Sequence, residues 1–323
     1  MTKIIAELCQ NHMGDIDLLK KMINECALAG AEYCKIQSID SNELTFRERF
    51  ELGSVDELGK IVTIKRPYFS EKNRLDKLNL AIEDQQLFVD ECKRNNIKPL
   101  TTIFTKNQVN NYKKIDWGHN TVKIASYDCA SIPLLNDLIG AGVDNFIIST
   151  GATFNHEISK TCTFLNNMGV KYSLLHCVTV YPTKIEDGHI NRMTFLKKFS
   201  NNIGFSDHSS YEKDWLKLSL LSIIKDANYV ERHFTSIDKV KTRDGKVSLN
   251  FDQLRELVCL TKEKKEHLLT VLNQKCTKEE IKKMLGEENR DLSNIELLNR
   301  DYYKGRFASK DKQGNYLFNW LES

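Results

Sequence analysis

Short apolar runs of four to eight residues recur along the chain: KIIAELC (3–9), EYCKIQS (32–38), IKPLTTIF (97–104), TVKIAS (121–126), NFIISTG (145–151), KYSLLHCV (171–178), NIGFSD (202–207) and YVERHFT (229–235). Their length and β-branched, aromatic content read as buried parallel strands. Between them lie stretches with helical spacing. In DLLKKMINECALAGA, Leu18, Met22, Cys26 and Ala29 share a face; EDQQLFVDECKRN and DWLKLSLLSIIKDA behave alike. Eight strands alternating with helices predict α/β architecture, and the number favours a closed (β/α)8 TIM barrel over an open doubly wound sheet. No G-x-G-x-x-G follows the first strand, which weighs against a dinucleotide fold.

Two regions break the rhythm. Residues 39–81 form a long charged excursion after the second strand, placed by the barrel rule on the catalytic face. The division expected is a barrel domain over 1–272 and a helical, aromatic extension over 273–323. The extension joins Arg300, Lys304 and Arg306 to Tyr302, Tyr303 and Phe307, and ends in Leu317, Phe318, Trp320 and Leu321. Such an end is expected to anchor on a barrel and bring Arg300 or Arg306 to the rim of a site.

Composition narrows the partners. The 47 basic and 44 acidic residues give a net charge of +3, poor for bulk nucleic-acid binding but compatible with one small anion. MTKIIAELCQ lacks a signal-peptide pattern, so the nine cysteines are expected as reduced thiols in a cytoplasmic protein. No apolar run of about 18 residues is present, so no membrane span is expected.

In a barrel the chemistry sits at the C-terminal strand ends. Those ends carry Glu7 and the Gln10-Asn11-His12 run; Lys35 and Gln37; Thr102; Lys123, Ser126 and Asp128; Ser149, Thr150 and Gly151. They continue with His176, Thr179 and Tyr181; Ser206, Asp207 and His208; Glu231 and His233. Taken singly, a buried lysine can be a structural ion pair and a histidine a capping residue. Converging on one volume, two lysines with Thr and Ser make a phosphate or carboxylate pocket. Imidazoles from adjacent strands suit one divalent metal.

These residues resemble the sialic acid synthase family, which makes N-acetylneuraminate, legionaminate and pseudaminate and includes spore-coat polysaccharide members. The resemblance rests on IIAELCQNHMGD with its later Lys-x-Gln, then KIASYD, IISTGA, LLHCVTVYPT, GFSDHS and VERHFT in order, over about residues 3–260. It implies condensation of phosphoenolpyruvate with an aldose, N-acetylmannosamine-like or a related amino sugar, to a 2-keto-3-deoxy sugar acid and phosphate. It further implies Glu7, Lys35, Lys123, His208 and His233 as catalytic residues, the two histidines as ligands of Mn2+ (Mg2+ or Co2+ as alternatives), and a homodimer. Phosphoenolpyruvate would meet Lys35, Thr102, Lys123, Ser126, Ser149, Thr179 and Ser206; the sugar would meet Glu7, Asp128, Tyr181 and Asp244. The chain departs from the family at Asp128 (often Glu), Thr179 (often Asn), Ile103 (usually Pro) and Thr242-Arg243-Asp244 (usually Gly-Pro-Asp). Its tail does not resemble the family's C-terminal antifreeze-like domain, which lends an arginine to the partner's sugar site. Two other readings remain: an octulosonate-phosphate-synthase-like condensation, for which Lys65, Arg66 and Arg74 would supply extra cations, and a degenerate scaffold subunit.

Overall fold

A computed structural model describes residues 1–318. Trp320 and Leu321 of the expected apolar anchor lie outside the described residues. The eight expected strands form: β1 (Lys3–Cys9), β2 (Tyr33–Ser38), β3 (Lys98–Ile103), β4 (Thr121–Ile124), β5 (Asn145–Ser149), β6 (Lys171–Cys177), β7 (Ile203–Asp207) and β8 (Tyr229–Phe234). Each pairs in parallel with the next, and β1 pairs with β8, closing a (β/α)8 barrel. Outside it run helices α1 (Ile16–Ala29), α2 (Ile82–Arg94), α3 (Lys106–Tyr112), α4 (Ile132–Gly140), α5 (Asn155–Asn167), α6 (Arg192–Leu196), α7 (Lys217–Ile224) and α8 (Phe251–Leu260).

Local chemistry explains the helix ends. Asp15 caps α1 by accepting from the amides of Asp17 and Leu18, and Gly30 stops it in the left-handed region at φ 88°. The buried face of α1 is Leu19, Met22, Ile23, Cys26 and Ala29; the expected Leu18 is only half-buried at its flank. Helix α7 is buried on every side from Leu218 to Ile224. One of its faces is covered by α9 (Lys265–Lys275), which runs across the expected boundary at 272 and whose Leu268 and Leu272 belong to the main core.

The side-chain period of two sorts each strand. Outward positions such as Ile4, Cys34, Val122, Phe146, Leu174 and Val230 meet the helices. Inward positions Ile5, Tyr33, Leu100, Ile147, Leu175 and Tyr229 form a separate apolar plug inside the barrel. Two residues further along, the same faces carry Glu7, Lys35, Thr102, Ser149, Cys177 and Glu231. The interior therefore turns from apolar to charged in one step toward the C-terminal ends.

One outward pair is charged. Arg232 on β8 and Asp207 on β7 are fully buried, Nη1 to Oδ2 2.7 Å. Asp207 also accepts from Ser219 Oγ and the Ser209 amide, and Arg232 donates to Ser209 Oγ and O. This network fixes the turn that carries His208.

The excursion and the extension meet over the strand ends. From α9 the chain passes through α10 (Lys278–Leu285) and α11 (Asn294–Tyr303) and crosses the barrel mouth. Asn299 donates to Thr179 O, Tyr303 stacks on Tyr127 at 4.7 Å, and Arg47 of the excursion donates to Tyr302 O and Lys304 O. Thr45 binds the backbone of Gly305 and Arg306. Phe318 lies half-buried in a hairpin (Ala308–Lys310 with Tyr316–Phe318).

Asp207→Ala leaves Arg232 as a buried charge without its ion partner and is expected to cost about 3–5 kcal/mol in urea denaturation. Burial alone would raise the Asp207 carboxyl, but Arg232 and the hydroxyl and amide donors hold it below the usual aspartate range. With a depressed folded value, its stabilisation is present above the unfolded aspartate range, near pH 4, and is lost as pH falls through the folded value. The variant's deficit should therefore shrink in acid melts below about pH 4.

Candidate active site

Above the plug lies a cavity of about 430 Å3. Glu7, Lys35, Thr102, Lys123, Ser126, Ser149, Tyr181, Ser206, His208, His233 and Asp244 all line it. The strand register explains the convergence: Glu7 lies opposite both Lys35 and His233, Thr102 opposite Lys123, and Ser206 opposite Glu231.

Its floor is a network of four buried charges. Lys35 is in direct contact with Glu7 Oε2 and donates to Thr102 Oγ1 at 3.0 Å. Lys123 donates to Ser149 Oγ at 2.6 Å and Ile124 O at 3.0 Å. Glu231 Oε2 stands 3.9 Å from each ammonium, and its Oε1 accepts from Ser206. Burial would raise Glu231, yet Lys123 and Lys35 together hold it at about 2. Burial pulls Lys35 below the ordinary lysine value; Lys123 adds to the pull and Glu231 resists it, as the Glu7 contact must. A bulge where β1 leaves β2 puts Cys9 at φ 50°, so its amide donates to Glu7 Oε1.

The two histidines form the next layer, ring centres 5.5 Å apart. Burial, then the neighbouring His233, brings His208 down to about 4. Burial lowers His233 too, against Asp244 and Glu231. Both imidazoles are neutral at pH 7. His208 Nδ1 lies 2.9 Å from Val178 O, which makes Nδ1 the donor and leaves the Nε2 lone pair beside Ser206. His233 Nδ1 is buried without a hydrogen-bond partner among the described residues. Ligand atoms of His233, Cys9 and Asp244 lie within 4.8 Å of one another. Burial, then Asp244, raises the Cys9 thiol, which stays protonated and donates to Asp244 Oδ2 at 2.9 Å. An unpartnered neutral imidazole beside a carboxylate and a second imidazole is a donor set that suits a divalent metal.

Two expected residues are not brought to this cavity. Residues Ser126–Asp128 form a 3-10 turn that presents Tyr127 to the cavity, while Asp128 faces a small side pocket and accepts from Ser131 Oγ. Thr179 is buried behind the wall, its carbonyl held by Asn299. Its methyl packs against Gly151, where a Cβ would come within 2.8 Å of it. Of the two tail arginines, Arg306 lines the cavity, whereas Arg300 is turned away to Glu157 and Ala152 O.

Other lining residues were expected at strand ends or in the excursion but had no role in the phosphoenolpyruvate, sugar or metal sites. Glu231 sits two positions before His233, so strand alternation alone places both on one face. The cavity wall also includes Gln10, Arg66, Arg74 and Arg243. Glu71, buried beneath them, accepts from Arg74 Nε and Nη2 at 3.1 and 2.9 Å, from Arg243 Nη1 at 3.3 Å, and from Arg306 Nη2.

Known proteins share this arrangement of chain. The NeuB family model matches residues 22–271. Pseudaminic acid synthase of Campylobacter jejuni is 27% identical over 321 residues, covering 98% of this chain and 84% of that protein. N,N'-diacetyllegionaminic acid synthase of the same organism is 29% identical over 269 residues, 79% of this chain and 74% of that one. The crystal structure of N-acetylneuraminic acid synthetase from Leptospira borgpetersenii, in complex with citrate, superposes with a TM-score of 0.69 at 26% identity, covering 93% of this chain and 90% of that chain.

Replacing Glu231 by Gln leaves its side-chain hydrogen bond to Ser206 possible but removes the charge between two buried ammonium groups. The variant is expected to melt lower, and added phosphate should raise its melting temperature more than that of the wild type. Equal phosphate shifts in the two proteins would count against an anion site on this floor.

Proposed function

This chain belongs to the NeuB family, and from that premise we propose that it condenses phosphoenolpyruvate with an aldose, giving a 2-keto-3-deoxy sugar acid and phosphate. The observation that carries the reading is the stacking of two layers in one cavity: a lysine- and hydroxyl-lined floor, then two neutral histidines beside a carboxylate. The names of the relatives, synthases of pseudaminic and legionaminic acid, support an acyclic amino-sugar aldehyde as the electrophile class.

Phosphoenolpyruvate is assigned to the floor. Lys123 with Ser149, and Lys35 with Thr102, offer charged and neutral donors to its phosphate and carboxylate, with Ser126 and Ser206 alongside. The methylene carbon of phosphoenolpyruvate forms a bond to the sugar aldehyde carbon, whose oxygen takes up a proton. Water adds to the cation left at the neighbouring, phosphate-bearing carbon. Glu7, between the Lys35 ammonium and the Cys9 amide, is placed to accept that water's proton. Loss of phosphate through C–O cleavage leaves the ketone. Lys35 and Lys123 stabilise the anionic groups throughout, in a site where burial strengthens each interaction.

A divalent metal such as Mn2+, Mg2+ or Co2+ would be held by His208 and His233, with Asp244 beside them. When bound it supplies Lewis-acid polarisation of the aldehyde. The neutrality of both rings keeps their lone pairs available at pH 7. Tyr181, whose ring centre lies 4.2 Å from that of His208, covers this layer from the mouth.

The scaffold reading is disfavoured by the floor itself, because four buried charges held in register are costly for a protein that binds nothing there.

Two measurements test the proposal. Chelated enzyme is expected to stop releasing phosphate from phosphoenolpyruvate with an aldose panel, and Mn2+ or Co2+ to restore it. His208→Ala should lose Mn2+ binding by calorimetry while keeping a native circular-dichroism spectrum. Full activity after thorough chelation would remove the metal from the scheme. Lys123→Met should raise KM for phosphoenolpyruvate about 10- to 100-fold, the loss of one charge-assisted contact. A change confined to the aldose KM would misplace the anion floor.

A further inference from the structure

The floor and the mouth of the cavity differ in charge balance. On the floor two lysines face two carboxylates, Glu7 and Glu231. At the mouth Arg66, Arg74, Arg243 and Arg306 line the same cavity, and three of them share one carboxylate, Glu71. Asp244 belongs to the layer of Cys9 and His233, so positive charge is in surplus at the mouth.

Holding the chain together does not account for it. The Arg306–Glu71 pair joins the extension to the excursion, and Arg74 pairs with Glu71 within one helix, Tyr68–Asp76. Arg243 comes from the loop after β8 as a third cation on a carboxylate already paired twice. The Arg66 side chain has no hydrogen-bond or ion-pair partner among the described residues, although it is half-buried and lines the cavity; its backbone amide donates to Phe50 O. Four guanidinium groups gathered at one cavity mouth repel one another, and an anion relieves that repulsion.

Arg74, Arg243 and Arg306 are also held in place. Arg74 donates to Gln10 Oε1 at 2.6 Å and makes two bonds to Glu71. The Arg306 guanidinium lies against the rings of Phe307 and Tyr303, 4.7 and 5.3 Å from their centres, and its Nε is buried without a hydrogen-bond partner. Fixed planar guanidiniums with unused N–H groups suit a tetrahedral or planar oxyanion.

Taking the proposed condensation as its basis, we propose that the acceptor is a phosphorylated aldose, whose terminal phosphomonoester is held at the cavity mouth by Arg66, Arg243 and Arg306. The aldehyde end points to the histidine layer and the phosphate end to the arginines. The surplus positive charge at the mouth suits a phosphomonoester dianion. The extension thus completes the acceptor site from within the same chain.

The test uses the full chain with Mn2+, phosphoenolpyruvate consumption as readout, and matched acceptors: N-acetylmannosamine and mannose, their 6-phosphates, and mannuronic acid. The expected result is kcat/KM at least about 10-fold higher for a 6-phosphate than for its neutral partner. Arg66→Met should cut that ratio by about 10- to 100-fold through the acceptor KM. It removes a side chain with no ionic partner, so it spares the Glu71 cluster. Calorimetry with the unreactive alditols supplies a readout independent of turnover: the alditol 6-phosphate should bind more tightly than the alditol, and Arg66→Met should erase the difference. Preference for neutral aldoses would overturn this proposal and leave the condensation standing. Preference for mannuronic acid would overturn the phosphate and assign the cluster to a carboxylate. An Arg66→Met effect on the KM of phosphoenolpyruvate alone would overturn it by returning the cluster to the other substrate. Failure to consume phosphoenolpyruvate with any acceptor would defeat the condensation; tight, Arg66-dependent binding of the alditol phosphate would still support the anion site, and its absence would overturn that too.

Discussion

Everything at the mouth of this barrel follows from one electrostatic constraint: Lys35 and Lys123 are buried inside it and must be matched. Lone ammonium groups in such a place would lose their protons or unfold the site. Glu7 and Glu231 prevent that, one by contact and one standing 3.9 Å from both lysines. Because these carboxylates sit on β1 and β8, the strands that close the barrel, the charge match depends on closure in the right register. A slip of one residue would turn Glu7 outward into the apolar layer occupied by Ala6 and Leu8 and would strand Lys35. Fold and anion site are thus specified by the same pairing.

The apolar plug sharpens this. Ile5, Leu100, Ile147 and Leu175, with Tyr33 and Tyr229, fill the barrel below the lysines and shut water out from beneath. Gly204 on β7 is required there, since a Cβ would meet the Tyr229 carbonyl oxygen at 2.4 Å. The charged layer is therefore reached from one side only, the side that the excursion and the extension cover. Removal of bulk water strengthens the ionic contacts above and holds the histidines neutral.

How much of this could be read along the chain varies with the distance over which the signal acts. Strand alternation is local, so the eight strands and the inward set Glu7, Lys35, Thr102, Lys123, Ser206, His208 and His233 could be located from the sequence. Glu231, two residues before His233, was located with them, though not its part in matching both lysines. Asp128 and Thr179 were not, because their direction depends on a single 3-10 turn and on Asn299, 120 residues later in the chain. Arg66 and Arg74 could be read only as cations of a loop over the site, since nothing near Arg74 or Arg243 in sequence shows that both converge on Glu71. Arg306 was recognisable as a cation beside aromatics, but which of Arg300 and Arg306 reaches the cavity is decided by the turn of α11. Glu157 and the Ala152 carbonyl take up the first. Tyr303 and Phe307 steer the second inward.

The extension changes what limits specificity. Its crossing is held by hydrogen bonds to the excursion, Thr45 to Gly305 and Arg306, and Arg47 to Tyr302 and Lys304, and by the stack of Tyr303 on Tyr127. Each contact belongs to a segment that also supplies the cavity wall: Tyr127 and Tyr303 line it, and Arg66 and Arg74 extend the excursion into it. A side chain altered in the wall therefore also loosens or tightens the cover. By contrast the floor rests on barrel strands and is insulated from the cover by the histidine layer. An acceptor-binding region built this way can change its preference through the excursion and extension without disturbing the charges on which barrel closure depends. Three of the four expected departures from the family pattern fall accordingly: Asp128 lies beneath Tyr303 and Arg306, Thr179 beneath Asn299, and Arg243 against Glu71, where the cover meets the barrel; the fourth, Ile103, is buried in the core.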